Sequence, residues 1–317
     1  MNSLTVFFQM MVLFAMMVLG YVVRKKNILN KDASARLSSL VVNLFNPILI
    51  VNSVLVGADG TTHENMLSNF AMIFLYFAIL IVFSILVLVI LRPVKPERPM
   101  YVLMTVFANI GYIGIPVAKS LYGNEGALYV AFYVLGFNIF LYTFGLFVAE
   151  RTKSADDTDQ ESKSFLSKFK KIINPGMIAC LIAVVISVFQ LEMPAPVISF
   201  CDYMGTTTIP LSMIIIGATF ADAGIRDTLN DWRAYVFTML RMVVLPVLAF
   251  YATRSLPLNE VVYGVFILEL SMPVAAVVTL LVQERGGDST CCVRGTIITT
   301  LASIITVPLV FALTVGW

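Results

Sequence analysis

The chain has 317 residues, of which 59% are hydrophobic and 13% charged, and its mean hydropathy is +0.91. A soluble domain carries about a quarter charged residues, so this composition excludes a soluble enzyme with one anchor and predicts a polytopic membrane protein. The net charge of +2 leaves no nucleic-acid footprint, and Cys180, Cys201, Cys291 and Cys292 form neither a CxxC pair nor a spaced framework that would predict disulfides or zinc.

A membrane-crossing helix needs ~20 apolar residues. Apolar windows predict ten such spans, near 4–23, 36–56, 67–91, 101–121, 126–149, 174–191, 196–220, 233–255, 261–283 and 290–315. The first lacks the basic leader of a cleaved signal peptide and is read as a retained span. Cytoplasmic loops concentrate Lys and Arg. Placing alternate loops inside puts 18 basic residues there against only Lys119 and Arg254 outside, with Arg241 left inside the eighth span. That asymmetry predicts both termini outside and the plasma membrane as the location.

The long polar segment from Glu150 to Lys171 reads as a cytoplasmic linker. It divides the chain into 1–150, a linker over 151–173, and 174–317. Each half holds five predicted spans, and an odd number makes the second half enter the membrane from the opposite side, the inverted repeat of many transporters. Two sequence echoes share one offset: Pro47 and Pro210, and the turns Gly123-Asn124-Glu125 and Gly286-Gly287-Asp288, are each 163 residues apart. The predicted fold is therefore all-α, ten transmembrane helices in two inverted five-helix repeats.

Two spans carry residues that a plain anchor avoids. The fourth contains Asn109-Ile110-Gly111-Tyr112-Ile113-Gly114-Ile115-Pro116, and the ninth contains Leu268-Glu269-Leu270-Ser271-Met272-Pro273. Proline inside a helix loses a backbone hydrogen bond at ~3 kcal/mol. A helix broken in this way lines a cavity, with its free N–H groups attracting an anion and its freed carbonyls a cation. Gly111, Ile113, Gly114, Pro116, Ser271, Met272 and Pro273 are therefore candidate binding residues. An ionisable residue inside a span is a functional hypothesis, and for Glu269 three readings stand: a proton or sodium site, an ion-pair partner of Arg241, or a helix-end residue. His63 sits beside Asp59 and Glu64 in an external loop and is expected to be solvated. No catalytic or metal-ligand spacing appears, so no enzyme activity, resident cofactor or metal is expected, with coupling to H+ or Na+ left open.

These residues resemble the auxin efflux carrier family, which includes bacterial permeases for malate, malonate and related carboxylates and the plant PIN carriers. The resemblance rests on the first span followed by Arg24-Lys25-Lys26, on Val41 to Pro47, on Asn109 to Pro116, on Pro210 to Ala218, on Arg241 to Pro246, and on Ser271-Met272-Pro273 followed by Gly286-Gly287-Asp288. It implies that spans four and nine cross at their broken centres. Spans 1, 2, 6 and 7 would form a scaffold, dimeric through helices 2 and 7, and spans 3–5 with 8–10 a moving transport domain. Similarity to the plant carriers implies that Asn109 and Asn138 contact the substrate carboxylate. The expected function is a secondary transporter of small organic anions by elevator-type alternating access. A sodium/proton antiporter using Glu269 and a non-transporting anion receptor are the other readings.

Overall fold

The computed structural model describes residues 3–57, 63–152, 175–189, 191–222 and 231–314. Most of the linker, with Lys153, Lys163, Lys168, Lys170 and Lys171, lies outside them, as do Asp59, Arg226 and the side chain of His63.

Helices make up most of the described residues, and no strand occurs among them. In chain order the α-helices are α1 (Ser3–Lys25), α2 (Lys31–Leu40), α3 (Asn46–Gly57), α4 (His63–Leu91), α5 (Arg98–Val106), α6 (Ile115–Phe140) and α7 (Leu146–Ala149). They continue as α8 (Pro175–Phe189), α9 (Ala195–Asp222), α10 (Trp232–Met239), α11 (Leu245–Thr253), α12 (Glu260–Leu270), α13 (Val277–Glu284) and α14 (Thr290–Thr314). The periodicity of α1 shows why. Val6, Met10, Leu13 and Met17 recur at helical spacing and are buried, while Leu4, Phe8, Val12 and Leu19 face outward. That outer face is as apolar as the core, which suits lipid and not water.

Four π-helical turns interrupt these helices, at Val41–Phe45, Ile110–Gly114, Leu141–Gly145 and Leu240–Val244. Three of them run directly into an X-Pro pair at the start of the next α-helix, at Pro47, Pro116 and Pro246. Proline cannot donate to the carbonyl four residues back and its ring crowds that carbonyl, so the preceding turn widens.

Among the described residues seven segments are long and apolar enough to cross a membrane, and three physical reasons separate that figure from the ten expected. The fourth and fifth predicted spans run together as one helical segment, Ile110–Thr152, although Gly123 at φ 66° turns the chain between them. The sixth is short, Pro175–Phe189. The ninth is divided into α12 and α13, neither long enough alone. Gly286 at φ 74° is the left-handed partner of Gly123 at the repeat offset; without Cβ, glycine takes this conformation at no steric cost.

The helices α1, α3, α8 and α9 pack on one another, while α4, α5, α6, α10, α11, α12 and α14 form a second set; α6 and α14 join the two. Helices α1 and α9 cross backbone to backbone. A Cβ on Gly20 would strike the Ile214 carbonyl, and one on Gly217 the Met17 carbonyl. Among the described residues four ion pairs tie predicted cytoplasmic loops to one another: Arg24 with Asp222 at 2.8 Å, Arg233 with Glu97 at 3.7 Å, Arg285 with Glu150 at 3.4 Å and Arg294 with Asp231 at 3.8 Å.

Candidate functional site

The two interrupted helices meet at their interruptions. Helix α12 ends at Leu270 because Pro273 has no N–H to give the Glu269 carbonyl four residues back. Helix α5 ends at Val106, and the chain runs extended through Phe107 before Asn109 caps the next turn by accepting the Tyr112 N–H at 3.3 Å. The Asn109 N–H donates to the Pro273 carbonyl at 2.7 Å, and the Ala275 N–H to the Phe107 carbonyl at 3.0 Å. Around Ala108 and Val274 these bonds make an antiparallel bridge. The Thr299 hydroxyl accepts the Val274 N–H at 3.2 Å. The breaks thus satisfy several of each other's freed backbone groups, which is what lets non-helical chain persist inside an apolar protein.

Arg241 lies on the π-turn ahead of Pro246 and is fully buried. Its Nε–H donates to the Thr105 carbonyl at 2.8 Å and its Nη1–H to the Leu270 carbonyl. These acceptors lie in the last turn of α5 and at the end of α12, so one guanidinium holds the negative ends of both interrupted helices.

Glu269 is also fully buried. Its carboxylate lies against the Cα of Gly114, close enough that a Cβ there would collide with it. Neither carboxylate oxygen has a hydrogen-bond partner, and the same is true of the hydroxyls of Tyr76 and Tyr133 and of Arg241 Nη2. The two phenols lie within electrostatic reach of Glu269, and the Tyr76 hydroxyl faces Arg241 outside hydrogen-bond geometry. Tyr76 and Tyr133 contact each other edge to face, with ring centroids 5.4 Å apart. A buried polar atom left without a partner costs about 1–3 kcal/mol. Five such atoms on four side chains gather at this cluster.

Of the residues expected from sequence, Asn109 bonds Pro273 and Gly114 lies against Glu269, so the two breaks meet at these pairs, while Gly111 faces Val134. The Ser271 hydroxyl is turned back to the Ile267 carbonyl at 2.9 Å. Arg241 and Glu269 flank the bridge, but the hydrogen bonds of Arg241 go to carbonyls and not to the carboxylate. Asn138, half-buried on α6, donates its Nδ2–H to the Val134 carbonyl of its own helix at 2.9 Å. Tyr76, Tyr133, Thr105 and Thr299 were not anticipated; a phenol or hydroxyl within an apolar run is the signal that could have found them.

A second polar concavity lies between α3, α6 and α9, lined by Asn52, Ser53, Lys119, Asn124 and Thr206 among apolar neighbours. Asn52 Nδ2–H donates to Asp202 at 3.2 Å, and its Oδ1 is buried without a partner. No group of three or more His, Cys, Asp or Glu residues that could hold a metal occurs among the described residues.

Helices broken against each other beside buried charges define a membrane transport protein, since an anchor would gain nothing from their cost. The chain belongs to the membrane transport protein family, whose profile matches residues 5–311, and this is the auxin efflux carrier family of the sequence resemblance. Similar full-length proteins are an uncharacterized transporter of Methanocaldococcus jannaschii, 21% identical over 94% of this chain and 96% of its own length, and an uncharacterized transporter of Methanothermobacter thermautotrophicus, 23% identical over 93% of each.

Proposed function

We propose that the protein is a secondary active transporter of small organic anions, mono- or dicarboxylates such as malate or malonate, working by elevator-type alternating access. The observation that carries this reading is the bridge between the two breaks. The turn at Ile110–Gly114 and α13 each begin within three residues after a bridge residue, Ala108 and Val274, while Arg241 occupies the C-terminal ends of the helices before them. Positive helix ends attract an anion. The Asn109 oxygen is taken by the Tyr112 N–H, so its amide hydrogens are the ones offered to a carboxylate, without adding a charge that would have to move with it.

In this reading the chain forms ten spans in two inverted repeats, with both termini outside the plasma membrane. The ion pairs that join only odd-numbered loops support that alternation. The set α1, α3, α8 and α9 is the scaffold, and the remaining helices move past it. The polar concavity lies along the contact between the two sets, and Lys119 brings a positive charge to the anion's route. Spans 2 and 7 of the scaffold, here α2–α3 and α9, form the homodimer contact, and lipid covers the outward apolar faces.

Asn138 reaches the substrate only after releasing the Val134 carbonyl. Glu269 takes a cation or proton during the cycle, offsetting the cost of its unpartnered burial. Uptake needs such help: each net negative charge drawn inward against ~100 mV meets ~2.3 kcal/mol, whereas export runs downhill.

The test is flux of labelled malate or malonate in proteoliposomes of the purified protein under an imposed potential. Saturable flux that responds to the potential is expected; liposomes no more permeable than empty ones, across mono- and dicarboxylates, would reject the reading.

A further inference from the structure

We infer that the Arg241 guanidinium is a built-in monovalent cation, seated where the freed carbonyls of the two interrupted helices would otherwise bind a free one, and that the protein holds no sodium at its centre. A helix C-terminus carries a partial negative charge and carbonyls without intrahelical partners. Two such ends converge here, and the oxygens nearby are those that a hard monovalent cation selects: backbone carbonyls, a carboxylate and phenols.

The guanidinium donates to the Thr105 and Leu270 carbonyls, one from each interrupted helix. Its third nitrogen, Nη2, has no hydrogen-bond partner, and Tyr76 and Glu269 lie within electrostatic reach of the guanidinium. The freed carbonyls at the ends of both interrupted helices thus already face a positive charge. Arginine keeps that charge at any physiological pH, and the π-turn at Leu240–Val244 ahead of Pro246 fixes where the side chain leaves the backbone.

The consequence concerns how the proposed transport is driven, and rests on that reading only there. A tethered cation cannot dissociate, so sodium is not the coupling ion, and any cation moving with substrate is a proton at Glu269 or none.

The experiment is thermal unfolding of the purified full-length protein in N-methyl-D-glucamine buffer. Sodium chloride, choline chloride at the same ionic strength, or guanidinium chloride at low millimolar concentration is then added. The wild type should show no sodium-specific shift. Arg241→Ala should melt lower, and sodium or guanidinium, but not choline, should raise its Tm by more than about 3 °C, because a ligand bound only by the folded state stabilises it. A saturable sodium-specific rise in the wild type, or an Arg241→Ala protein that none of the cations moves, would overturn the inference. If Arg241→Ala does not fold, Arg241→Lys decides. It should fold and ignore sodium, because its ammonium keeps one positive charge on the same carbonyls; failure to fold, or a sodium response, would count against the proposal. A protein that passes these arms yet binds no carboxylate loses only the proposed substrate.

Discussion

The two breaks use opposite chemistry. The first, from Phe107 to Gly114, consists of backbone and absent side chains: two glycines, a widened turn and a proline only after the chain has become helical again. The second, from Ser271 to Ala276, is made by a proline that denies the Glu269 carbonyl its α-helical donor, and it is flanked by the carboxylate itself. One break makes room and the other brings charge. Gly114 is where they meet, since the carboxylate of the second break occupies the space that a side chain on the first would fill. In the proposed transporter, this asymmetry gives one centre a side suited to an anion and a side suited to positive charge, although both strands of the bridge come from interrupted helices.

The comparison breaks most severely at that contact. Gly114→Ala puts a methyl group on the Glu269 carboxylate; overpacking of this kind costs about 1–3 kcal/mol. Flux should fall by at least about tenfold, together with a lower Tm in thermal unfolding. Next is Glu269→Gln, which keeps the shape of the second break and removes its charge. Protein level should be intact and proton-dependence of uptake abolished; unchanged coupling in proteoliposomes would remove Glu269 from the mechanism. Thr299→Val withdraws the hydroxyl that takes the Val274 N–H, so the second break should loosen by about 1 kcal/mol, read from denaturant unfolding. Smallest is Gly111→Ala. Its Cβ would meet only Val134 Cγ2, at 3.7 Å, so stability should stay within about 0.5 kcal/mol of wild type. A Gly111 variant as damaged as the Gly114 one would mean that the first break is crowded along its whole length, and the contrast between the breaks would fail.

The sequence made these segments visible because an apolar run tolerates proline, paired glycine and carboxylate so poorly that each stands out. It also pointed to the Gly123 and Gly286 turns, since left-handed backbone at a chain reversal selects glycine. What it could not disclose are contacts whose acceptor is backbone. Every residue has a carbonyl, so nothing in the sequence marks Thr105 and Leu270 as the partners of Arg241, and Glu269 was the only visible counter-charge. The engagement of Asn138 with Val134 was hidden for the same reason. The π-turns have the composition of α-helix, and only the proline after three of them hints at the change. Hydroxyls such as Thr299 usually bond to their own helix, and Thr299 does so as well, to the Gly295 carbonyl at 2.7 Å, so its second role at the bridge carries no sequence mark.

The central claim is that a carboxylate binds at the first break through Asn109, and the most direct test is thermal unfolding of the purified protein titrated with mono- and dicarboxylates. A ligand that binds the folded state raises Tm in a saturable way. The account predicts such a rise for at least one carboxylate in the wild type and its loss in Asn109→Ala. No response to any carboxylate, or the same response in wild type and variant, would contradict it.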